Sequence, residues 1–316
     1  MRRRIVLDTD IGSDADDALC LALAVAAPEL ELVAVTHVSG DTRLRARISR
    51  RLLDLAGRSD VPVYAGRERP LDGSERYVWF GHEGLGVLDH GALPPLPSDD
   101  AVEVLCRVFR DHADVELVTI GPLTNVAAAL EIDHGLAGRI PQLTVMGGFL
   151  RSATCAGAVF GPAADYNLCA DPQASLQVLA AGISTRLVPI DVTTQVWIEE
   201  RDVCGLEASR QPMHHAVARA VRRWTPINQA SLGTLGAPAD VDNAAFLHDP
   251  LALACAYDES FCTFADLPLD LRIEDGLFRM REATVSGAET RRLRCATAVD
   301  RGRFLTHFRT RLGLPT

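Results

Sequence analysis

The sequence predicts an α/β protein built on an open, mainly parallel sheet flanked by helices, with a helical excursion near the ligand-binding face. Three observations predict it. Short apolar runs alternate with helical patterns over the first 190 residues, no linker or internal repeat interrupts them, and a run of acids directly follows the first apolar run. In open sheets of this class ligands sit outside the carboxyl ends of the strands, which is where that acid run falls.

Taken in order, the first strand covers residues 5–7, and a turn through Gly12 leads to an apolar helix that starts near Asp16 and stops near Pro28. Further strands are predicted at 32–36, 62–64, 115–120, 143–146 and 186–190, with helices between them at 43–55, 100–111, 125–130 and 172–180. A helical stretch over 198–224 makes the excursion, another helix opens at His248 and runs through Ala256, and residues 261–298 alternate in a way that suits added strands. Residues 1–316 read as a single domain.

Composition narrows the function. The chain is 47% hydrophobic and 23% charged, an ordinary globular balance. A net charge of −10 argues against nucleic-acid binding and against an anionic membrane surface, leaving a small neutral or metal-bridged ligand as the better partner. There is no lysine, so all 32 basic residues are arginine and any mechanism that needs a catalytic lysine is excluded. The eight cysteines are scattered without a C-x-x-C pair and read as free thiols. No signal-like or membrane-spanning apolar segment is evident, and a cytoplasmic protein is expected.

The chemistry gathers first at Asp8, Asp10, Asp14, Asp16 and Asp17, five carboxylates within ten residues. Like charges so close repel unless a cation neutralises them. Helix capping accounts for one or two such acids, hardly five. All-oxygen ligands select a hard cation, and several carboxylates around one loop favour Ca²⁺ over Mg²⁺. The spacing is not that of an EF-hand. Later segments supply what this site lacks. Gly121-Pro122-Leu123-Thr124-Asn125 closes a strand and can turn a backbone carbonyl towards a cation, and Asp249 opens a helix as a further ligand with His248 beside it as a candidate acid. Asp165 and Asn167, two apart on a segment read as extended, point the same way and suit polyol recognition; Met146 closes the strand before them.

Asp8-Thr9-Asp10-x-Gly12, the Gly121 to Asn125 run, Val145-Met146-Gly147-Gly148, Pro189-Ile190-Asp191-Val192-Thr193 and His248-Asp249-Pro250-Leu251-Ala252 occur in the order typical of one family. From the first strand to about Ala256 the chain resembles the inosine-uridine-preferring nucleoside hydrolases. The resemblance implies a Ca²⁺-dependent N-ribohydrolase on a Rossmann-like sheet, a homodimer or homotetramer that releases free base from a ribonucleoside. It makes Asp10 both a metal ligand and the base for a Ca²⁺-bound water, Asp17 a bidentate ligand, Thr124 a ligand through its carbonyl, and Asp249 the closing ligand.

Departures from the family pattern mark the substrate side. The acidic loop is two residues longer than usual; Asp16 and Asp17 align with the family's acid pair, and Asp14 could instead take one of their roles. Asp41 replaces the usual Asn after the second strand, Val159 replaces a ribose-binding Asn, and Asp165 shortens a Glu within Gly161-Pro162-Ala163-Ala164-Asp165-Tyr166-Asn167. Phe80 stands where a His is common, with His82 nearby as its substitute. The substrate-facing set is thus Asp14, Asp16, Asp41, His82, Met146, Asp165 and Asn167, with Trp224, Asn228 and Gln229 as candidates for the base. Two other readings compete: a Ca²⁺-dependent ribose or nucleoside binder with lost or altered turnover, and a phosphatase using Asp8-x-Asp10, which lacks the lysine that chemistry requires.

Overall fold

The computed structural model describes residues 2–76, 78–89, 95–155, 157–162, 165–238, 240–283 and 290–316. Strand β1 (Arg3–Thr9) passes through the acidic turn into α1 (Asp16–Ala26), then β2 (Leu30–His37), α2 (Thr42–Leu55) and β3 (Val63–Ala65) follow. After a long irregular segment come α3 (Ala101–Asp111), β4 (Val115–Thr119), α4 (Thr124–Ile132) and β5 (Leu143–Met146). A small hairpin, β6 (Ala153–Cys155) with β7 (Ala158–Phe160), precedes α5 (Tyr166–Ala170), α6 (Pro172–Ala180) and β8 (Thr185–Val188). The excursion comprises α7 (Ile190–Thr193), β9 (Trp197–Ile198), α8 (Glu200–Ala208), α9 (Pro212–Thr234), β10 (Ala245–Phe246) and α10 (His248–Tyr257). Strands β11 (Cys262–Glu274), β12 (Leu277–Glu282) and β13 (Thr290–Val299) and helix α11 (Arg301–Leu312) complete the chain.

The main sheet has nine strands in the order β12-β11-β13-β8-β5-β4-β1-β2-β3. It is parallel from β3 across to β13 and antiparallel only where β11 and β12 are added. Helices bury both faces, so the central strands are apolar throughout rather than alternating. From β1 the chain winds outward to β2 and β3, then returns to β4 on the other side. That reversal leaves a crevice outside the carboxyl ends of β1 and β4, the topological switch point where open sheets of this kind bind ligands.

Helix α1 is buried on every side, and its first turn carries Asp16 and Asp17 inward. A fully buried leucine such as Leu19 or Leu23 contributes about 2 kcal/mol, which offsets the cost of holding acids there. Two expectations need correction. The single helix over 198–224 is broken, because Pro212 lacks an N–H and starts α9 at its first turn. The strand predicted to reach residue 190 ends at Val188, and residues 190–193 turn as α7. Among the described residues no helix is long and apolar enough to cross a membrane.

Candidate active site

The crevice holds a cavity of about 240 Å³. One wall is acidic: Asp10, Asp14, Asp16, Asp17 and Asp249. Asp10 leaves the end of β1 and presses against the turn after β4, where a Cβ on Gly121 would lie 2.8 Å from Asp10 Oδ1, so only glycine fits. One carboxylate oxygen from each of Asp14, Asp16 and Asp17 falls within 4.8 Å of the others. Asp249, in the first turn of α10, faces the same cluster and is buried. Burial pushes the Asp10 carboxyl up to about 7, and Asp14 raises it further while the Arg45 guanidinium pulls it down. Asp16, Asp17 and Asp249 are driven well above the ordinary carboxylate range by burial and then by neighbouring carboxylates: Asp14 and Asp17 act on Asp16, Asp10 and Asp14 on Asp17, and Asp16 and Asp17 on Asp249. Beneath them Asp8 is also buried; its Oδ1 accepts from Thr36 Oγ1 at 2.5 Å and Asn125 Nδ2 at 2.8 Å, while Oδ2 has no hydrogen-bond partner among the described residues. Crowded buried acids with an all-oxygen donor set are what a hard cation would satisfy, so the residues present fit a metal ion.

A second part of the lining is aromatic and apolar, with Val78, Phe80, Trp224 and Ile190. Phe80 meets Trp224 edge-on at 5.6 Å and stacks on His82 at the same distance. His248 also lines the cavity, stacked on Phe246 at 4.8 Å with Nδ1 2.7 Å from Thr193 Oγ1. Its apolar surroundings push the imidazole down to about 3, so it is neutral near pH 7. A third wall is made by Met146, Asp165, Tyr166 and Asn167.

Buried carboxylates and aromatic side chains thus line one cavity. The family model described as inosine-uridine preferring nucleoside hydrolase matches residues 5–306. The chain belongs to this family. It hydrolyses the N-glycosidic bond of ribonucleosides. The pyrimidine-specific ribonucleoside hydrolase RihA of Shewanella sp. (strain MR-7) is 36% identical over 265 residues, 80% of this chain and 77% of that protein. The probable uridine nucleosidase 1 of Oryza sativa subsp. japonica is 30% identical over 279 residues, 83% of this chain and 79% of its own. Among solved structures, a plant nucleoside hydrolase superposes over 100% of both chains with a TM-score of 0.86 at 26% identity.

In this nucleoside hydrolase the structure brings Asp10, Asp14, Asp16, Asp17, Met146, Asp165, Asn167, His248 and Asp249 to one cavity. Thr124 opens α4 nearby but does not line the cavity; its hydroxyl donates to Asp171 at 2.8 Å, which leaves only its backbone for a ligand. Asp41 is corrected: it caps α2 through Leu44 N at 2.9 Å, is exposed, and does not line the cavity. His82 stands just outside, its Nε2 donating to the Ser13 carbonyl at 2.7 Å. Asp165 and Asn167 are not on an extended segment. Asp165 caps α5 through Leu168 N, and Asn167 Nδ2, in the first turn, donates to the carbonyls of Ile120 and Met146, joining the ends of β4 and β5. Val159 is exposed on β7, while Ala163 and Ala164 lie outside the described residues. Of the base candidates only Trp224 reaches the cavity; Asn228 is buried against Asn243, and Gln229 is exposed. Arg45 and Tyr166 join the site without having been expected there. Arg45 had a signal: it shares the buried face of α2 with Ile48, Ser49 and Leu52, where an unpaired arginine is out of place.

Proposed function

We propose that this enzyme is a Ca²⁺-dependent hydrolase of pyrimidine ribonucleosides, uridine first among them. The observation that carries the reading is the cluster of buried carboxylates at the switch point, lining one small cavity together with aromatic side chains. The names of the relatives at 36% and 30% identity support a pyrimidine base. Asp10, Asp17, Asp249 and the Thr124 carbonyl would hold the ion, with Asp14 and Asp16 taking the sugar hydroxyls. Bound there, Ca²⁺ would lower the pKa of a coordinated water and fix the vicinal diol.

Asp10 takes the proton of the attacking water, and its low-dielectric surroundings keep it a strong enough base for that transfer. The neighbouring carboxylates stabilise positive charge that develops on the sugar as the C–N bond breaks. His248, neutral and oriented by the hydrogen bond between its Nδ1 and Thr193 Oγ1, serves beside the departing base. Met146, Asp165 and Asn167 hold the sugar from the side, while Phe80 and Trp224 stack on the base.

A single-domain homodimer or homotetramer of the cytoplasm is part of this reading, and eight free thiols support a reducing compartment. Purified protein incubated with Ca²⁺ and a mixture of ribonucleosides, beside a chelated control, is expected to release uracil faster than purine bases, and only in the presence of the ion. Tight ribose binding without base release would instead select a binding protein.

A further inference from the structure

Arg45 projects from α2 and is fully buried, yet among the described residues it forms no ion pair. A buried guanidinium is costly unless its donors are used. Here the donors go to backbone and hydroxyl oxygens around the acidic loop. Nη1 donates to the carbonyls of Asp10 and Ile11, the latter at 2.9 Å, Nη2 to Ser13 Oγ at 3.2 Å, and Nε to the Ser39 carbonyl at 2.6 Å. The loop is also pressed onto α2. Gly12 adopts φ 124°, and a Cβ there would stand 2.8 Å from Ile48 Cδ1. On its outer side the guanidinium is covered by the Trp79 ring at 5.3 Å, and the His82 bond to the Ser13 carbonyl ties the same segment to the loop. The acidic loop, longer than the family pattern by the residues around Ser13 and Asp14, is thus gripped from within by one side chain.

We propose that Arg45 is the positioning residue of the metal loop, fixing residues 10–13 so that the Asp10 carboxylate and those of Asp14, Asp16 and Asp17 just beyond them meet one cation in a single geometry. The inference rests on the Ca²⁺ reading given above. Its physical core is the planar fork: four acceptors in different directions match a guanidinium and cannot be matched by the point charge of an ammonium. Arg45→Lys keeps the charge and removes the fork. Calorimetry on the whole protein is expected to show Ca²⁺ binding weakened about tenfold in Arg45→Lys, with kcat at saturating Ca²⁺ reduced about as much and KM within about threefold. A plug that merely fills the core would lower Tm and leave the Ca²⁺ affinity of the folded protein alone.

Wild-type Ca²⁺ affinity and kcat in a folded Arg45→Lys would overturn the proposal. A wild-type protein that binds no Ca²⁺ would overturn the metal reading itself, which is a different result. Should Arg45→Lys not fold, Ser13→Ala removes one of the acceptors without disturbing the core, and about threefold weaker Ca²⁺ binding is expected. Unchanged affinity in that variant would also overturn the proposal.

Discussion

The two sides of the cavity are built differently. The acid wall grows from the core: Asp10, Asp16, Asp17 and Asp249 are 6%, 4%, 2% and 3% exposed and sit just after β1 and in the first turns of α1 and α10. The aromatic wall grows from the surface: Val78 and Phe80 are each 45% exposed on an irregular segment, and Trp224 is carried by the excursion helix α9. A rigid wall can hold charges in one geometry, as metal-assisted hydrolysis requires, whereas an exposed wall can differ in size and contour without disturbing the fold. In the proposed mechanism the chemistry therefore belongs to the first and the choice of base to the second.

The division is broken most severely from the acid side. Asp10→Ala is expected to lower kcat by about three orders of magnitude while leaving Tm unchanged or raised, because it removes one member of a mutually repelling set. Base release and thermal unfolding on the same sample check both halves, and full activity would end the assignment. Next in size is the response to the ion. Ca²⁺ at a hundredfold excess over its Kd should stabilise the folded enzyme by about 3 kcal/mol, seen as a rise in Tm that a chelator reverses and that Asp249→Ala lacks. The aromatic side should answer differently. Trp224→Ala is expected to raise KM for uridine about tenfold through lost stacking, with kcat and the Ca²⁺ response kept. A fall in kcat with KM unchanged would mean the two walls do not divide the work.

The same division explains what was legible in the sequence. Asp8 to Asp17 could be read because a strand, a turn and an apolar helix placed them at a strand end by local pattern alone, and Gly121 and Asp249 followed from element ends. Asp41 misled because an acid after a strand is equally a helix cap, and the cap took it. Asp165 and Asn167 reach the cavity, yet as the cap and first turn of α5, since a helix of five residues leaves little periodic signal. The helical character of 198–224 was legible, but neither the break before Pro212 nor the continuation of α9 past Pro226 was, the latter because tertiary packing against α8 and α2 overrides the proline. Trp224 could be named as an aromatic but not placed, since no short-range pattern says which face of a long helix meets a distant loop.

The smallest effect reaches the acid wall from behind. His37, at the end of β2, is fully buried, with Nδ1 donating to the Tyr64 carbonyl at 2.9 Å and Nε2 accepting from Ser49 Oγ at 2.7 Å. Its own carbonyl accepts from Asn125 Nδ2, the amide that also bonds Asp8, so the histidine belongs to the frame beneath the carboxylates. Burial pushes its pKa down to about 3, below the unfolded value near 6.5. Between those values the unfolded chain takes up a proton that the folded protein refuses. The contribution of His37 is therefore complete above about pH 6.5, and about 1 kcal/mol of it is gone by pH 5.5. In His37→Gln, which has no titrating ring, the loss of unfolding free energy between pH 7.5 and 5.5 should be smaller than in the wild type by that amount. Denaturant unfolding at the two pH values measures the difference, and parallel behaviour of the two proteins would show that the frame under the acids admits the proton, and with it water, far more readily than its packing implies.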